Sequence, residues 1–482
     1  MGVLMDNQPQ KGRAAASRPV ASATDAARGA AAPAAARGAA AGVAAPPAGA
    51  EIPAIPAAPA VSPVISPARA RRLSAAVLGG APAFRRTLHV GRPNMPDQQV
   101  FLGRIQEVLR SGQLTNGGPM VQEFEARVAE IAGARHCIAT CNATTGLELA
   151  IGGLGMAGDV IVPSFTFIAT VHALWRQGVR PVFCDIDPVT HCLDPDCVEA
   201  AITSRTTGIL GVHLWGNSCA SERLRELARE HGLKLMFDAA HAFGCQPARP
   251  QDGYLGDAEV YSFHATKCIH AFEGGAIVTN DDEVAARLRY MVNFGFAGED
   301  LVAHLGTNGK MNEASAAMGL TSIDAMDRFF GHNRENYAAF AEGLAGLPGL
   351  SLMPRAAARR HSYQYVVTEI DPEAAGLTRD ELVAALRLEN VVARRYFHPG
   401  CHRMQPYAGL SPRAGQTLPV TEAVSERVMV LPTGTQISRQ DVARMCARIA
   451  ALLRQAPAVR AALKHCEDPR LPHFAPLRAG HH

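Results

Sequence analysis

No stretch of this chain approaches the roughly eighteen uninterrupted apolar residues that a membrane-spanning helix requires. A soluble protein that makes no contact with membrane is therefore expected. Nor is there a Cys-x-x-Cys pair: eleven cysteines are scattered, among them Cys137, Cys141, Cys184, Cys192 and Cys197, at spacings that suit neither a disulfide framework nor a zinc site. Reduced thiols in a cytoplasmic protein, and no bound metal, are expected. A basic excess is missing too. The net charge is +3, and residues 1–86 hold ten Lys/Arg against three acids, a local balance of +7 that leaves −4 for the rest. A mildly acidic body argues against nucleic acid as the main partner. What remains is ordinary globular material, 482 residues with 48% hydrophobic and 19% charged side chains, enough for about two or three domains.

Residues 1–86 are rich in alanine and proline, with scattered arginine and no pattern that would bury a face, so a disordered extension is expected. Abundant arginine with few acids suits a transit peptide, but the prolines break an amphipathic helix, which favours a dispensable extension. After Pro93 short apolar runs alternate with helical patterns. Strands are expected at 136–140, 160–163, 180–184, 208–214, 233–237, 259–263 and 276–279, with a helix at 221–231 whose leucines at 224 and 227 share a face. Such alternation predicts an α/β fold with a largely parallel sheet. A large domain over 87–330 would then be followed by a smaller α/β domain over 331–456, with strands at 362–367 and 391–396 and helices at 378–389 and 438–453. A tail is expected over 457–482.

Two motifs mislead. Gly153-Leu154-Gly155-Met156-Ala157-Gly158 has the spacing of a dinucleotide loop, but it follows a helix and leads into a strand, the reverse of the required order. Gly309-Lys310 resembles the end of a phosphate loop, yet His304 stands where its first glycine belongs and Met311 where its hydroxyl belongs. The histidines at 465, 473, 481 and 482 read as a solvated tail rather than a metal site.

Chemistry concentrates between Asn142 and Gly275, in loops at the ends of successive strands, where open α/β sheets bind their ligands. Cys141-Asn142-Ala143-Thr144-Thr145-Gly146 precedes a helix expected at 145–154, and its free N–H groups could receive a phosphate or serve only as a cap. Asp238 ends an apolar strand in Met236-Phe237-Asp238-Ala239-Ala240-His241. A carboxylate there needs a partner, either a cap, a salt bridge or a cationic ring nitrogen. Lys267, in Ser262-Phe263-His264-Ala265-Thr266-Lys267, is followed by Glu273-Gly274-Gly275. Taken singly it would be a solvated lysine; in a cleft, desolvation would make its amine a nucleophile.

Together with Leu114-Thr115-Asn116-Gly117-Gly118 and Pro163-Ser164-Phe165-Thr166-Phe167, these segments resemble the DegT/DnrJ/StrS-type sugar-nucleotide aminotransferases, fold-type-I enzymes dependent on pyridoxal 5′-phosphate. The resemblance covers residues 88–455. It implies that Lys267 holds the cofactor as a Schiff base and then shuttles a proton. It further implies that Asp238 pairs with the ring nitrogen, that Ala143, Thr144 and Ser262 hold the phosphate, and that Phe167 stacks on the ring. His241 stands where many relatives carry Gln and would face the ring hydroxyl. Asn308, in Gly306-Thr307-Asn308-Gly309-Lys310-Met311, would reach the phosphate in the neighbouring subunit of a homodimer, and Lys310 stands where Arg is common. Thr115, Lys310, Tyr396 and His402 would lie on the substrate side. The implied reaction moves an amino group, with L-glutamate as the expected donor, to a keto sugar nucleotide, closest to the 4-keto-6-deoxyhexoses of dTDP-sugars. A dehydratase of this fold would carry histidine in place of Lys267. A non-catalytic regulator would have lost Lys267 or Asp238.

Overall fold

The computed structural model describes residues 75–247, 255–354, 358–409 and 418–466. The chain divides into Met1–Pro63 and Val64–His482, and every described residue belongs to the second unit. The stretch expected to be disordered lies, up to residue 74, outside the described residues, as do the histidines at 473, 481 and 482.

Seven strands form the central sheet: β1 (His136–Thr140), β2 (Asp159–Pro163), β3 (Arg180–Cys184), β4 (Thr206–Val212), β5 (Lys234–Asp238), β6 (Ala258–Ser262) and β7 (Gly275–Thr279). Their spatial order is β1-β7-β6-β5-β4-β2-β3. Only β7 runs against its neighbours; the other pairings are parallel. This is the mostly parallel α/β sheet that the alternation of patterns predicts. Strands β2, β6 and β7 are buried at every position, as strands covered on both faces must be. Alternation within β1 and β7 separates two cores: Ile138 and Ile277 join one, while Cys137, Ala139, Ala276 and Val278 join the other. Over the first face lie α1 (Ala143–Gly153) and α2 (Ile168–Arg176); the helices Pro119–Ala132 and Glu313–Asp324 cover the second.

A second, antiparallel sheet consists of β8 (Leu350–Leu352), β9 (Val366–Ile370) and β10 (Val428–Leu431), in the order β8-β9-β10. Its core includes Phe340 from α3 (Met326–Leu344), Leu382 and Leu386 from α4 (Arg379–Leu388), and Ile449 from α5 (Arg439–Arg454). Capping boxes start α4 and α5, with Thr378 facing Glu381 and Ser438 facing Asp441.

The border expected at 330/331 lies within α3, a continuous helix whose Phe329 packs on the central-sheet side and whose Phe340 packs against the second sheet. Three expectations need correction. Residues 75–86, expected to be disordered, are ordered. Ala75 and Phe84 are buried in the second core, and the Glu389 carboxylate, 0% exposed, accepts from the N–H groups of Ala76 and Ala83 at 2.7 Å each. The partner comes from some 300 residues further along, so local composition could not reveal it. The tail begins later than residue 457, because Ala456–Lys464 is a helix with Pro457 in its first turn and Val459 fully buried. Finally, the strand expected over 391–396 is cut to Val391–Val392, which pairs in parallel with Leu88–His89. The chain then leaves the strand and brings Tyr396 and Phe397 to the site.

Candidate active site

The carboxyl ends of the parallel strands open into a cavity of about 320 Å³. Asn142 to Thr144 enter it after β1, Thr166 and Phe167 after β2, Asp238 at the end of β5, and Ser262 and Lys267 at and after β6. Tyr365, Tyr396 and Phe397 close it from the side of the second sheet.

The cradle for an anion is the first turn of α1. Asn142 caps it, its side-chain oxygen accepting from the Thr145 N–H at 2.8 Å, while Ala143 and Thr144 line the cavity at the positive end of the helix. Strand β7 presses against this turn so closely that a Cβ on Gly275 would stand 2.6 Å from the Ala143 nitrogen. Ser262, 8% exposed at the end of β6, brings its hydroxyl to the same cavity.

Asp238 is buried. Its Oδ2 accepts from the Thr170 hydroxyl at 2.7 Å and its Oδ1 from the Ala240 N–H at 3.0 Å. Burial pushes its pKa up, against the pull of these two hydrogen bonds and of the Lys267 charge. Such a group is primed for a cationic N–H donor. Lys267 is half-buried, and desolvation pulls its pKa down to about 8, opposed by Asp238. Its Nζ lies 3.4 Å from the Tyr365 hydroxyl. His241 accepts from the Trp215 N–H at its Nδ1, 3.3 Å away, so the neutral ring carries its proton on Nε2. Burial and then the Lys267 charge keep that ring neutral. Phe167 is 57% exposed, leaving a ring face open to a planar ligand. An anion cradle, a buried acid, an amine of lowered pKa and an open aromatic face fit pyridoxal phosphate.

Several predicted residues lie elsewhere. Thr115 is exposed in the turn after Gln98–Ser111. Asn308 is exposed and bridges to Asn293, and Lys310 donates to Asn293 Oδ1 at 2.6 Å over the Phe294 ring. Lys310 lines a different cavity, of about 490 Å³, with Asn116, Glu125 and Arg289. His402 is not on the active-site wall: its Nδ1 stands 2.6 Å from Ser164 Oγ and its Nε2 3.4 Å from Glu422, in a part-buried clamp. Tyr396 does line the cavity. Residues that sequence reasoning missed are Thr170, Tyr365 and Phe397. Thr170 stands three residues after Phe167, one helical turn on, and that spacing could have revealed it. Tyr365 sits in an apolar segment where an aromatic reads simply as core.

A family model described as the DegT/DnrJ/EryC1/StrS aminotransferase family matches residues 97–450. The chain belongs to this family. The dTDP-4-amino-4,6-dideoxy-D-glucose transaminase of Shigella dysenteriae is 35% identical over 360 residues, covering 74% of this chain and 96% of that protein. GDP-perosamine synthase of Caulobacter vibrioides is 33% identical, covering 72% and 93%. Among solved structures, DesI in the presence of its TDP-sugar product is 48% identical with a TM-score of 0.76, over 82% of this chain and 99% of that one. The protein is thus a pyridoxal-phosphate-dependent sugar aminotransferase, as the resemblance of its strand-end motifs implies.

Proposed function

We propose that the enzyme transfers the amino group of L-glutamate to the keto carbon of a dTDP-linked 4-keto-6-deoxyhexose. The observation that carries this reading is the near-complete coverage of a relative named for a dTDP-4-amino-4,6-dideoxy sugar, joined to a cavity that holds the whole set of cofactor-suited groups. The cavity's aromatic side, formed by Tyr396 and the buried Phe397, suits a sugar that carries a methyl in place of a hydroxyl.

Pyridoxal phosphate, when bound, supplies an electron sink and carries the amino group between the two substrates. In this reading Ala143, Thr144 and Ser262 hold its phosphate, Phe167 covers its ring and His241 faces the ring hydroxyl. Asp238 keeps a proton on the ring nitrogen. Lys267 binds it covalently and, once freed, takes up and returns the proton of the reacting carbon at Nζ; a pKa of about 8 allows both directions near neutral pH. The Tyr365 hydroxyl fixes where that amine rests.

A homodimer belongs to the proposal. Asn308 and Lys310 lie off their own chain's cavity, beside the exposed apolar side chains of Leu301, Val302 and Leu305, which suits delivery to a neighbouring subunit's site. Among the described residues no helix is long and apolar enough to cross a membrane, in keeping with a cytoplasmic enzyme. The large and small halves would meet along α3.

Absorbance tests the chemistry. The purified enzyme should show a visible cofactor band that borohydride bleaches; a colourless protein that ignores added pyridoxal phosphate would sink the proposal. For the acceptor, the enzyme is incubated with glutamate and a panel of keto-sugar nucleotides, and 2-oxoglutarate is followed. Reaction with another sugar alone would eliminate the dTDP-4-keto-6-deoxyhexose.

A further inference from the structure

Beside the mouth of the cavity stands a group of cations with no carboxylate partner among the described residues. The parallel pairing of Leu88–His89 with Val391–Val392 sets His89 across from Val392, and Arg394 follows two residues later, where its backbone pairs with Val430. Arg387, in the last turn of α4, and Arg92 complete the group. Their proximity shows in their electrostatics. Burial and then the charges of Arg92, Arg394 and Arg387 depress the His89 pKa, and burial followed by Arg394 and Arg395 depresses that of Arg387.

Among the described residues none of Arg92, Arg387 and Arg394 forms an ion pair with a carboxylate. Arg92 donates only to the Gln436 side-chain oxygen at 3.1 Å, and the Nε of Arg387 is buried with no hydrogen-bond partner. Like charges gathered without an acid repel one another, and a buried donor left unpaired is costly. Both penalties vanish when an anion binds.

The place of the cluster says which anion. Gly91, next to Arg92, abuts the Lys267 loop: a Cβ on it would lie 3.1 Å from the Thr266 Cβ, and Thr266 lines the cavity. Tyr396, two residues after Arg394, lines it as well. The cations therefore border the opening rather than the floor where Lys267 stands. We propose that Arg92, Arg387 and Arg394, with His89, bind the diphosphate of the acceptor nucleotide while its sugar occupies the cavity. Guanidinium forks match phosphate oxygens two at a time, and three permanent cations suit a diphosphate better than a single carboxylate of the amino donor. Two of the four groups come from the N-terminal strap, whose earlier residues Glu389 pins in place.

This inference rests on the sugar-nucleotide reading, and the test separates the two. The full-length, cofactor-loaded enzyme is titrated calorimetrically with dTDP, thymidine and inorganic pyrophosphate, as wild type and as R92A, R394A and R387K. Expected are displacement of dTDP by pyrophosphate and a dTDP Kd raised about tenfold or more in each alanine variant, the loss of a charge-assisted hydrogen bond. Thymidine, which lacks phosphate, should bind all forms alike. R387K keeps the charge but not the fork, and should weaken dTDP by a smaller factor. A dTDP Kd within twofold of wild type in both R92A and R394A overturns the site, as does failure of pyrophosphate to compete. If wild type carries the visible cofactor band yet binds no dTDP, the dTDP acceptor is overturned. The arginine site is then decided by pyrophosphate alone, whose binding must weaken in the same variants.

Discussion

On one side of the cavity each chemical group follows a strand of a single sheet within a few residues: Asn142 after β1, Phe167 after β2, Asp238 at the end of β5, Lys267 after β6. On the other side Tyr365, Tyr396 and Phe397 arrive from segments 98 or more residues later and are held by contacts across the molecule. The Cys401 N–H donates to the Ser164 carbonyl at 2.9 Å, and His402 grips the Ser164 hydroxyl. The first wall carries the ionisable groups and its geometry follows from the sheet. The second is aromatic, and its geometry depends on the stitching between residues 164–166 and 401–402. Chemistry should therefore fail when the first wall is altered, and acceptor handling when the second is.

The sharpest test is Lys267→Ala. It should lower kcat by about 10⁴-fold and remove the borohydride-sensitive visible band, because both covalent attachment and proton transfer at Nζ are lost. Residual activity above about a hundredth of wild type would mean that the first wall is not where the chemistry lies. Asp238→Asn keeps size and shape, so the hydrogen bond from Thr170 can persist. Loss of the charge facing the ring nitrogen should still reduce kcat by roughly 10²–10³-fold, with less change in the acceptor KM.

A smaller effect follows from the Lys267 pKa of about 8. The amine attacks only when neutral, so the rate at which cofactor-free enzyme takes up added pyridoxal phosphate should rise about tenfold from pH 7 to 9 and then level off. A rate still climbing steeply toward pH 10.5 would place the amine in water instead. Tyr365→Phe, the one change on the second wall that touches the reacting amine, should reduce kcat about tenfold and displace that uptake profile along the pH axis. An unchanged profile with lower kcat would assign Tyr365 to packing alone.

The same division decides how much the sequence discloses. Strands 136–140 and 180–184 and the helix at 221–231 are found where their patterns place them, because β-branched runs and leucine spacing act locally. Asp238 and Lys267 were legible for the same reason, each being fixed by a position relative to its own strand. Tyr365 and Phe397 were not, since nothing local distinguishes an aromatic that faces a cavity from one that fills a core. The segment from Ala75 was illegible because its partner Glu389 is remote in sequence. His402, expected on the substrate side, has its ring clamped between Ser164 and Glu422, and no local pattern announces either partner.

That clamp supplies the mildest prediction and the one most specific to the second wall. Burial lowers the His402 pKa, so at neutral pH the ring is uncharged and bonds to Ser164 and Glu422 as a neutral bridge. His402→Ala leaves the Ser164 hydroxyl, 2.6 Å from the missing nitrogen, without that partner in a buried setting, and should destabilise the protein by about 1–3 kcal/mol. Thermal unfolding measures this directly. The wall bearing Tyr396 and Phe397 would also lose one of its ties, so the acceptor KM should rise, by less than about threefold if the Cys401 N–H to Ser164 bond still holds the segment. Because a ring buried in its neutral form resists protonation, wild type should lose this contribution to stability as the pH falls below about 6.5, the unfolded value, toward the lower folded one. The alanine variant should lose less over the same range. A loss of kcat approaching that of Asp238→Asn, with unfolding unchanged, would instead put His402 among the reacting groups and erase the distinction between the two walls.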